Sequence, residues 1–355
     1  MKLKSVFCIG LVLAAVSCGG HKAAAQQKVT LAIATAVLDV SQANVSSIPL
    51  FTGCWKQAGL DVTIQTTSGS TAIQALATGQ VEFAYLGAAN VITARAKGAP
   101  LKSVYLNLRK NFQFPVVMDT SPIRSIADFK GKTVGIASYG TPTLQVVKAM
   151  LVEAGLDPNK DVTFIETGFG AQAVSALTNK SVDIWATWDS QAATAENLGV
   201  KLRRFSSPYA DRLRLGAAFF VREDLIKKDP KAIAGLLKCV AEASAMIARD
   251  PEGAVRAHWK IYPATKPSGV NDDEAFSQAL HILKTRSEFV KLESGEKWGE
   301  IPEEAVSSMI EFMRTNGAQL GGLKPTDVFT NEFIPAVNDF NSAAVEAGVK
   351  TFPSK

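Results

Sequence analysis

Histidine and cysteine are scarce in this chain, and the motifs of common enzyme classes are missing. Only three histidines and four cysteines occur among its 355 residues. The two histidines beyond residue 25, His258 and His281, have a spacing that matches no zinc-binding pattern. There is no Gly-x-Ser-x-Gly elbow and no phosphate-binding loop ending in Gly-Lys-Ser/Thr. The sequence therefore argues against an enzyme, and it predicts no catalytic residue, no metal site and no cofactor.

Hydrophobic runs of transmembrane length are also missing. The apolar run at residues 6–16 follows two lysines and precedes three alanines at 23–25, which is the order of a secretory signal. It is too short to span a bilayer, which needs about 20 residues. We predict that residues 1–25 are a signal peptide and that the protein is exported. Ala-Val-Ser-Cys ending at Cys18 is an alternative, lipoprotein-type processing site, which would anchor the protein through a lipid on Cys18.

The chain lacks a strong charge of either sign. Its formal net charge is +5, and three of its lysines lie within residues 1–25, which hold no acidic residue. No cluster of Lys and Arg with interleaved aromatic residues is present, so nucleic acid is not expected as a partner.

Two cysteines, Cys54 and Cys239, remain beyond residue 25. In an oxidising compartment they could pair. The sequence does not show that they are close in space, and we predict instead that both are small buried apolar residues on helices.

The chain does contain an internal repeat. The stretch that begins at Gly69 matches the stretch that begins at Gly170 at a constant offset of 101 residues, and Ala-Gly-Leu-Asp occurs at both 58–61 and 154–157. A repeat of this length is no solenoid unit, since those run about 20–50 residues. Two similar halves predict two lobes, with a small ligand in the cleft between them.

Within each half, apolar β-branched runs alternate with helical patterns, which is typical of a parallel sheet covered by helices. Strands are predicted at 28–34, 61–66, 81–86, 132–137, 161–167 and 182–187, and the predicted helices include one at 47–58 and one with Pro142 at its first position. We predict two Rossmann-like α/β lobes joined by two crossover strands. Lobe 1 comprises residues 26–112 and 215–355, including a helical tail packed on it, and lobe 2 comprises residues 113–214.

The candidate ligand-binding residues follow from this topology, because ligands of open α/β sheets bind outside the carboxyl ends of the strands. Glycine- and hydroxyl-rich turns occur at those ends and begin helices, whose unpaired N–H groups favour anions. Simple helix capping is the alternative for each turn, and capping of the next helix is the alternative for Asp189. The predicted set is Thr35, Ser68, Gly69, Ser70, Thr71, Gly87, Asn90, Phe114, Ser138, Tyr139, Gly140, Thr141, Thr143, Phe169, Trp188, Asp189 and Arg214.

Three segments of the sequence resemble the periplasmic solute-binding proteins of ABC importers, of the sulfonate/taurine/nitrate type. They are Ser-Gly-Ser-Thr-Ala-Ile-Gln-Ala-Leu-Ala-Thr-Gly (68–79), the Ser-Pro-Ile-Arg-Ser-Ile-Ala-Asp-Phe-Lys-Gly segment (121–131) and Val-Asp-Ile-Trp-Ala-Thr-Trp-Asp (182–189). The resemblance implies a type II periplasmic binding fold whose lobes close on a small-molecule ligand, an ABC permease and its ATPase as partners, and a location in the periplasm. We expect a monomer. It implies a sulfonate, a carboxylate or a polar heterocycle as ligand. A pyrimidine-precursor synthase of the same fold, or a ligand sensor for a receptor, is the alternative.

Overall fold

Two five-stranded sheets form the framework of the computed structural model, which describes residues 26–35, 37–139, 141–315 and 317–354. The predicted signal peptide, with Cys18, and the candidate Gly140 lie outside the described residues. The strands are β1 (Gln27–Ala34), β2 (Leu60–Thr67), β3 (Phe83–Gly87), β4 (Leu101–Leu108), β5 (Gln113–Met118), β6 (Lys132–Ile136), β7 (Val162–Glu166), β8 (Ile184–Trp188), β9 (Leu202–Arg204) and β10 (Ala217–Arg222).

The helices lie between and after these strands. In the described ranges they are α1 (Ser47–Phe51), α2 (Cys54–Gln57), α3 (Gly69–Ala77), α4 (Ala89–Ala96), α5 (Pro142–Glu153), α6 (Gly170–Thr178), α7 (Asp189–Asn197), α8 (Pro208–Arg212), α9 (Glu223–Lys228), α10 (Pro230–Arg249), α11 (Pro251–Ile261), α12 (Asp272–Val290), α13 (Glu303–Thr315), α14 (Pro325–Val328), α15 (Ile334–Val337) and α16 (Ser342–Val349). Short 3-10 helices occupy Val40–Val45, Ile126–Phe129 and Pro263–Thr265.

Both sheets have the same topology, and the predicted fold class is confirmed. The strand order is β2-β1-β3-β10-β4 in the sheet of lobe 1 and β7-β6-β8-β5-β9 in the sheet of lobe 2. The first three strands of each order are parallel, and the fourth is antiparallel to the third. The chain crosses from β4 to β5 and returns from β9 to β10. The strands before and after this excursion, β4 and β10, pair in the sheet of lobe 1, and the strands at its two ends, β5 and β9, pair in the sheet of lobe 2.

The two crossover segments touch at Gly216, just before β10. Its N–H donates to the Leu108 carbonyl over 2.9 Å, and its carbonyl accepts from the Ala88 N–H over 3.0 Å. A Cβ at this position would lie 2.5 Å from the carbonyl oxygen of Lys110. Only glycine fits without a backbone shift, because real Cβ atoms do not approach that closely, and the glycine therefore permits the close approach of the two connections.

The sequence repeat is reproduced in the structure. The unit β2-α3-β3 of lobe 1 corresponds to β7-α6-β8 of lobe 2. Two repeat-related carboxylates make the same contact: Glu82 accepts from the Thr30 N–H over 2.7 Å, and Asp183 accepts from the Thr133 N–H over 2.9 Å. These carboxylates, which lie just before β3 and β8, satisfy backbone donors of the neighbouring strands β1 and β6, which is a structural role.

The helix predicted at 47–58 is interrupted, and the prediction for the cysteines is wrong. Gly53 has a φ of +67°, a left-handed conformation that ends α1 and starts α2 separately. Helix α2 packs against α10, which brings the Cα atoms of Cys54 and Cys239 to 5.7 Å, and the two cysteines form a disulfide. The pairing follows from packing between elements separated by 185 residues, which sequence patterns do not encode.

Most of the tail packs on lobe 1, as expected, but it also reaches lobe 2. Residues of α10 such as Leu236 and Val240 share one core with Phe83 and Phe219 of the lobe 1 sheet, and all four are fully buried. Each such side chain contributes about 1.5–3 kcal/mol through burial. Helix α12, in contrast, packs along α7 of lobe 2. The tail is therefore placed to couple the two lobes. Within the described residues, no helix combines the length and apolar character needed to cross a membrane.

One buried histidine of the tail predicts a pH dependence of stability. His258 is 0% exposed, its Nδ1 lies 2.8 Å from Ser47 Oγ, and burial lowers its pKa to about 4. The pKa in the unfolded chain is about 6.5, so the unfolded chain takes up the proton at higher pH than the folded protein does. The stabilisation by neutral His258 should be fully present above about pH 6.5. It should fall by about 3 kcal/mol as the pH drops from 6.5 to 4.

Thermal melts at pH 7, 6, 5 and 4 test this prediction against a His258→Gln variant. Glutamine retains a polar group for Ser47 but cannot titrate, so its melting temperature should fall less steeply over this window. Parallel pH profiles of the two proteins would contradict it.

Candidate ligand-binding cleft between the lobes

The carboxyl ends of the parallel strands of the two sheets face each other across a cleft. Gly87 ends β3 in lobe 1, and Pro142 begins α5 after β6 in lobe 2. A Cβ placed on Gly87 would lie 3.6 Å from Pro142 Cγ, so the two lobes are in near contact at this point. The topology thus brings together strand ends that are about fifty residues apart in sequence.

A cavity of about 320 Å³ lies beside this contact. Its size is at the lower end of the range for ligand pockets, about 300–1,000 Å³. It is bounded by the starts of α4 and α5, by both crossover segments and by α13 of the tail. The lining residues are Gly87, Ala88, Ala89, Asn90, Thr93, Asn111, Gln113, Tyr139, Thr141, Pro142, Gln145, Val146, Leu213, Leu215, Gly216, Met309, Phe312, Met313 and Ala318.

The cavity combines amide groups with an apolar wall and has no fixed charge. Among the described residues that line it, none is Asp, Glu, Lys, Arg or His. Asn90, Asn111, Gln113 and Gln145 supply side-chain amides, whereas α13 supplies the thioethers and ring of its inner face. The N-termini of two helices, α4 and α5, lie at the cavity. Their backbone dipoles favour a negative or strongly polar group there.

On the lobe 1 side, the predicted turn residues cluster around Asn90. The Asn90 amide donates to the Gly87 carbonyl over 3.3 Å, and a Cβ on Gly69 would lie 3.6 Å from the same amide nitrogen. Ser68 caps α3, since its hydroxyl accepts from the Thr71 N–H, and it also bonds the hydroxyls of Ser70 and Thr71. The capping alternative is therefore realised here, and the three hydroxyl residues are exposed and are not among the residues that line the cavity. The Thr35 hydroxyl, after β1, donates to the Val37 carbonyl.

On the lobe 2 side, Tyr139 is held as an exposed platform. Its N–H donates to Glu166 over 2.8 Å, and its hydroxyl donates to the Phe164 carbonyl over 2.8 Å. The Ser138 carbonyl accepts both the N–H and the hydroxyl of Thr141, which fixes the start of α5. The ring of Tyr139 nevertheless remains 59% exposed.

Exposed apolar side chains are concentrated at the carboxyl ends of the parallel strands. Val37, Tyr139 and Phe169 are 66%, 59% and 47% exposed, and each follows the end of a parallel strand by three residues. The ring of Phe169 meets Trp188 edge-on, with centroids 5.7 Å apart. Exposed large apolar side chains cost free energy and are often functional when they cluster. Their position predicts contact with an apolar part of a ligand.

Two predicted ligand residues are buried in lobe 2 instead. Phe114 is 9% exposed and packs against α6 and α7 residues, with the Arg204 guanidinium 4.7 Å from its ring centroid. Its position in β5 directs it to the helix-covered face of the sheet. Thr143 is 3% exposed in the first turn of α5. Both offer a ligand almost no surface.

The two charged residues of the predicted set are paired with other protein groups. Asp189 is 0% exposed and forms an ion pair with Arg286 of α12, with 2.7 Å between Oδ1 and Nη2. Burial raises the pKa of Asp189, and the positive charge of Arg286 opposes this. Arg214 bonds Glu296 over 2.8 Å and Glu293 over 3.3 Å. The partners of Asp189 and Arg214 all belong to the tail. The sequence repeat does not include the tail and therefore does not predict these ion pairs.

Sequence reasoning missed the contribution of the tail to the cleft. The stripe of Met309 and Met313 on α13 indicates a buried inner face, but it carries no signal that this face lines a ligand cavity. Arg286 is one charged residue in a helix that also has an exposed face, and nothing in its spacing marks it. In the described ranges, no group of three or more His, Cys, Asp or Glu is arranged to hold a metal ion.

Comparison with known proteins agrees with this architecture. A candidate binding protein of Brucella abortus (strain 2308) is 24% identical over 310 residues, which cover 84% of this chain and 90% of that protein. The riboflavin-binding protein RibY of Chloroflexus aurantiacus is 23% identical over 292 residues, 80% of each chain.

The solved structure of the alkanesulfonate-binding protein SsuA from Xanthomonas axonopodis pv. citri, bound to MOPS, superposes with a TM-score of 0.61 at 17% identity. The superposition covers 86% of this chain and 100% of SsuA. The resemblance to sulfonate-type solute-binding proteins is thereby confirmed at the level of the fold. The model of the family described as NMT1/THI5 like matches residues 52–254, more than half of the sequence, and the chain therefore belongs to the NMT1/THI5-like family.

Proposed function

We propose that this chain is the extracytoplasmic solute-binding component of an ABC importer, and that it holds a small organic solute between lobe 1 (residues 26–112 and 215–355) and lobe 2 (residues 113–214). The single observation that carries the proposal is the cavity of about 320 Å³ at the facing carboxyl ends of the two sheets. Its walls come from both lobes and both crossover segments, so a bound solute would stabilise the closed arrangement.

The lining supports a solute with one acceptor-rich group and an apolar body. The N-termini of α4 and α5, together with the amides of Asn90 and Gln145, suit a sulfonate, a carboxylate or the carbonyl groups of a heterocycle. The exposed ring of Tyr139 and the apolar face of α13 suit carbon atoms or an aromatic ring, and the exposed ring of Phe169, which lies outside the cavity lining, could extend this surface when the lobes hold a solute. Because no fixed positive charge lines the cavity, a single negative charge fits this lining better than two.

Export and delivery complete the proposal. Residues 1–25 have the composition of a signal peptide, which would place the mature protein in the periplasm as a monomer, with the lipid on Cys18 as the alternative. The closed form would dock on a membrane permease that a cytoplasmic ATPase drives. Relatives that are named as binding proteins support this role.

A thermal-shift panel tests the proposed function. The compounds are nitrate, sulfate, hexanesulfonate, MOPS, benzoate, a pyrimidine and riboflavin. A compound present at 100–1,000 times its Kd stabilises the protein by about 3–4 kcal/mol. We expect at least one organic compound to raise the melting temperature more than inorganic sulfate and nitrate do. The absence of any shift across the panel, or a larger shift with the inorganic anions, would contradict the proposed ligand class.

The alternative functions give different results. An enzyme of the pyrimidine-synthase type would convert the compound that it binds, whereas a binding protein releases it unchanged after denaturation, as mass spectrometry would detect. A sensor would bind in the same way, but its gene would lie beside a receptor gene and not beside genes for a permease and an ATPase.

A further inference from the structure

A buried arginine of the tail contacts the lobe 2 side of the cleft. Arg286, in α12, is 6% exposed. Its Nη2 donates to Asp189 Oδ1 over 2.7 Å and lies 3.5 Å from Ser190 Oγ. Its guanidinium also lies 5.1 Å from the ring centroid of Phe112, in the first crossover. The Asp189 N–H donates to the Phe112 carbonyl over 3.1 Å. The tail, a crossover and the start of α7 therefore meet at one guanidinium.

The same guanidinium adjoins a chain of buried polar groups in lobe 1. Burial raises the pKa of the Tyr85 phenol, and the positive charge of the nearby Arg286 opposes this. The Tyr85 hydroxyl accepts from the Asn107 amide over 2.9 Å, and the Asn44 amide donates to both Asn107 and Ser244, over 2.7 and 2.9 Å. Satisfied polar networks of this kind rigidify a core. Arg286 thus lies between this polar network of lobe 1 and the start of α7 in lobe 2.

The indole of Trp188 is attached to this junction. Its Nε1 donates to Ser190 Oγ over 3.1 Å, the same oxygen that Arg286 approaches. Trp188 in turn meets the exposed ring of Phe169 edge-on. A buried ion pair is weak evidence for added stability, because desolvation offsets much of the attraction. A geometric role accounts better for a buried charged pair at this place.

We propose that Arg286 is a positioning residue for the ligand cleft: through Asp189 and Ser190 it holds Trp188 in place against the tail, and with it one side of the aromatic wall that Phe169 and Trp188 form. The inference deepens the proposed function and rests on it for its effect on binding. The positioning of Trp188 itself is measurable without any ligand.

The ligand-free test is ¹⁹F NMR of protein labelled with 5-fluorotryptophan, in which a Trp188→Phe variant assigns the Trp188 resonance. In an Arg286→Met variant, which keeps a long buried side chain but removes the guanidinium, the Trp188 resonance should shift or broaden. The resonance of Trp55, in the core of lobe 1, should stay in place. An unchanged Trp188 resonance would overturn the inference.

The tail offers a matched control in Arg256 of α11. Its guanidinium also lies over a ring, 4.6 Å from the centroid of Phe276, and it also pairs with a carboxylate, that of Glu252, over 3.4 Å. The side chain is 19% exposed, and both partners belong to the tail. Arg256→Met should leave the Trp188 resonance unchanged, and an equal shift in this variant would indicate a nonspecific effect and overturn the inference.

Affinity for MOPS separates positioning from a purely structural role. Arg286→Met should raise the Kd about tenfold or more, and it should also lower stability because it leaves the Asp189 carboxylate buried and unpaired. The Asp189→Asn/Arg286→Met double variant removes that charge, so its melting temperature should recover while its Kd stays raised. Recovery of both would overturn the inference. If wild type binds neither MOPS nor any other compound of the panel while the Trp188 resonance still moves, the proposed function fails and the positioning of Trp188 stands.

Discussion

Removal of the disulfide in a Cys54→Ala/Cys239→Ala variant is expected to lower the free energy of unfolding of lobe 1 by about 4–5 kcal/mol. The bond closes a loop with a sequence separation of 185 residues, and chain entropy predicts roughly 5 kcal/mol for a loop of that length. Calorimetry measures the effect. For a unit of 150–250 residues, roughly 2–4 °C are lost per kcal/mol, so the melting temperature should fall by about 8–20 °C.

Reduction provides the control for the disulfide. Wild-type protein melted in excess reductant should approach the melting temperature of the alanine variant, and the variant itself should not respond to reductant. A variant as stable as oxidised wild type would show that the bond does not constrain the unfolded chain. The same variant should retain its ligand affinity, because α2 and α10 do not line the cleft.

Replacement of Phe169 by alanine is expected to raise the Kd of an organic ligand about 30-fold with little change in stability. The ring is 47% exposed before α6 and touches Trp188, so it is available to a ligand and contributes little to the core. Burial of such a ring against a ligand, with an aromatic contact, is worth about 2 kcal/mol. That free energy corresponds to about 30-fold in Kd. Isothermal titration with the compound that gives the largest thermal shift measures the change.

Leu198→Ala is the matched control for Phe169. Leu198 is 61% exposed and follows the C-terminus of α7, at the opposite end of the helix from the cleft. Its truncation removes a comparable exposed apolar side chain and should leave the Kd unchanged. Equal losses of affinity in the two variants, or no loss in Phe169→Ala, would show that the Phe169 ring does not contact the ligand.

Much of the secondary structure was predictable, because each element has a local cause. The apolar run predicted at 132–137 is β6 over Lys132–Ile136, and Pro142 begins α5 as its fixed φ favours. The helix predicted at 47–58 failed at Gly53, where a glycine inside an apolar pattern adopts a left-handed φ. Periodicity alone does not distinguish a glycine that a helix tolerates from one that breaks it.

The candidate site was predictable only in part. Gly87, Asn90, Tyr139 and Thr141 line the cavity, because strand ends of a parallel sheet meet at one edge whatever the rest of the fold does. Phe114 was misplaced because the alternation of a strand gives two faces but does not say which one is covered. The ion pair of Asp189 with Arg286 joins groups separated by 97 residues, and no local pattern records such a pairing.

The sequence by itself determined the repeat, the two α/β sheets and the strand ends at which polar turns collect, since these depend on residues that are neighbours along the chain. The tertiary structure alone decided the disulfide, the apolar wall that α13 adds to the cavity and the junction of the tail with lobe 2. Those features depend on how distant helices pack. Helix packing depends on how whole surfaces fit together. The local sequence around a side chain does not show whether it will contact a residue a hundred positions away or remain in solvent.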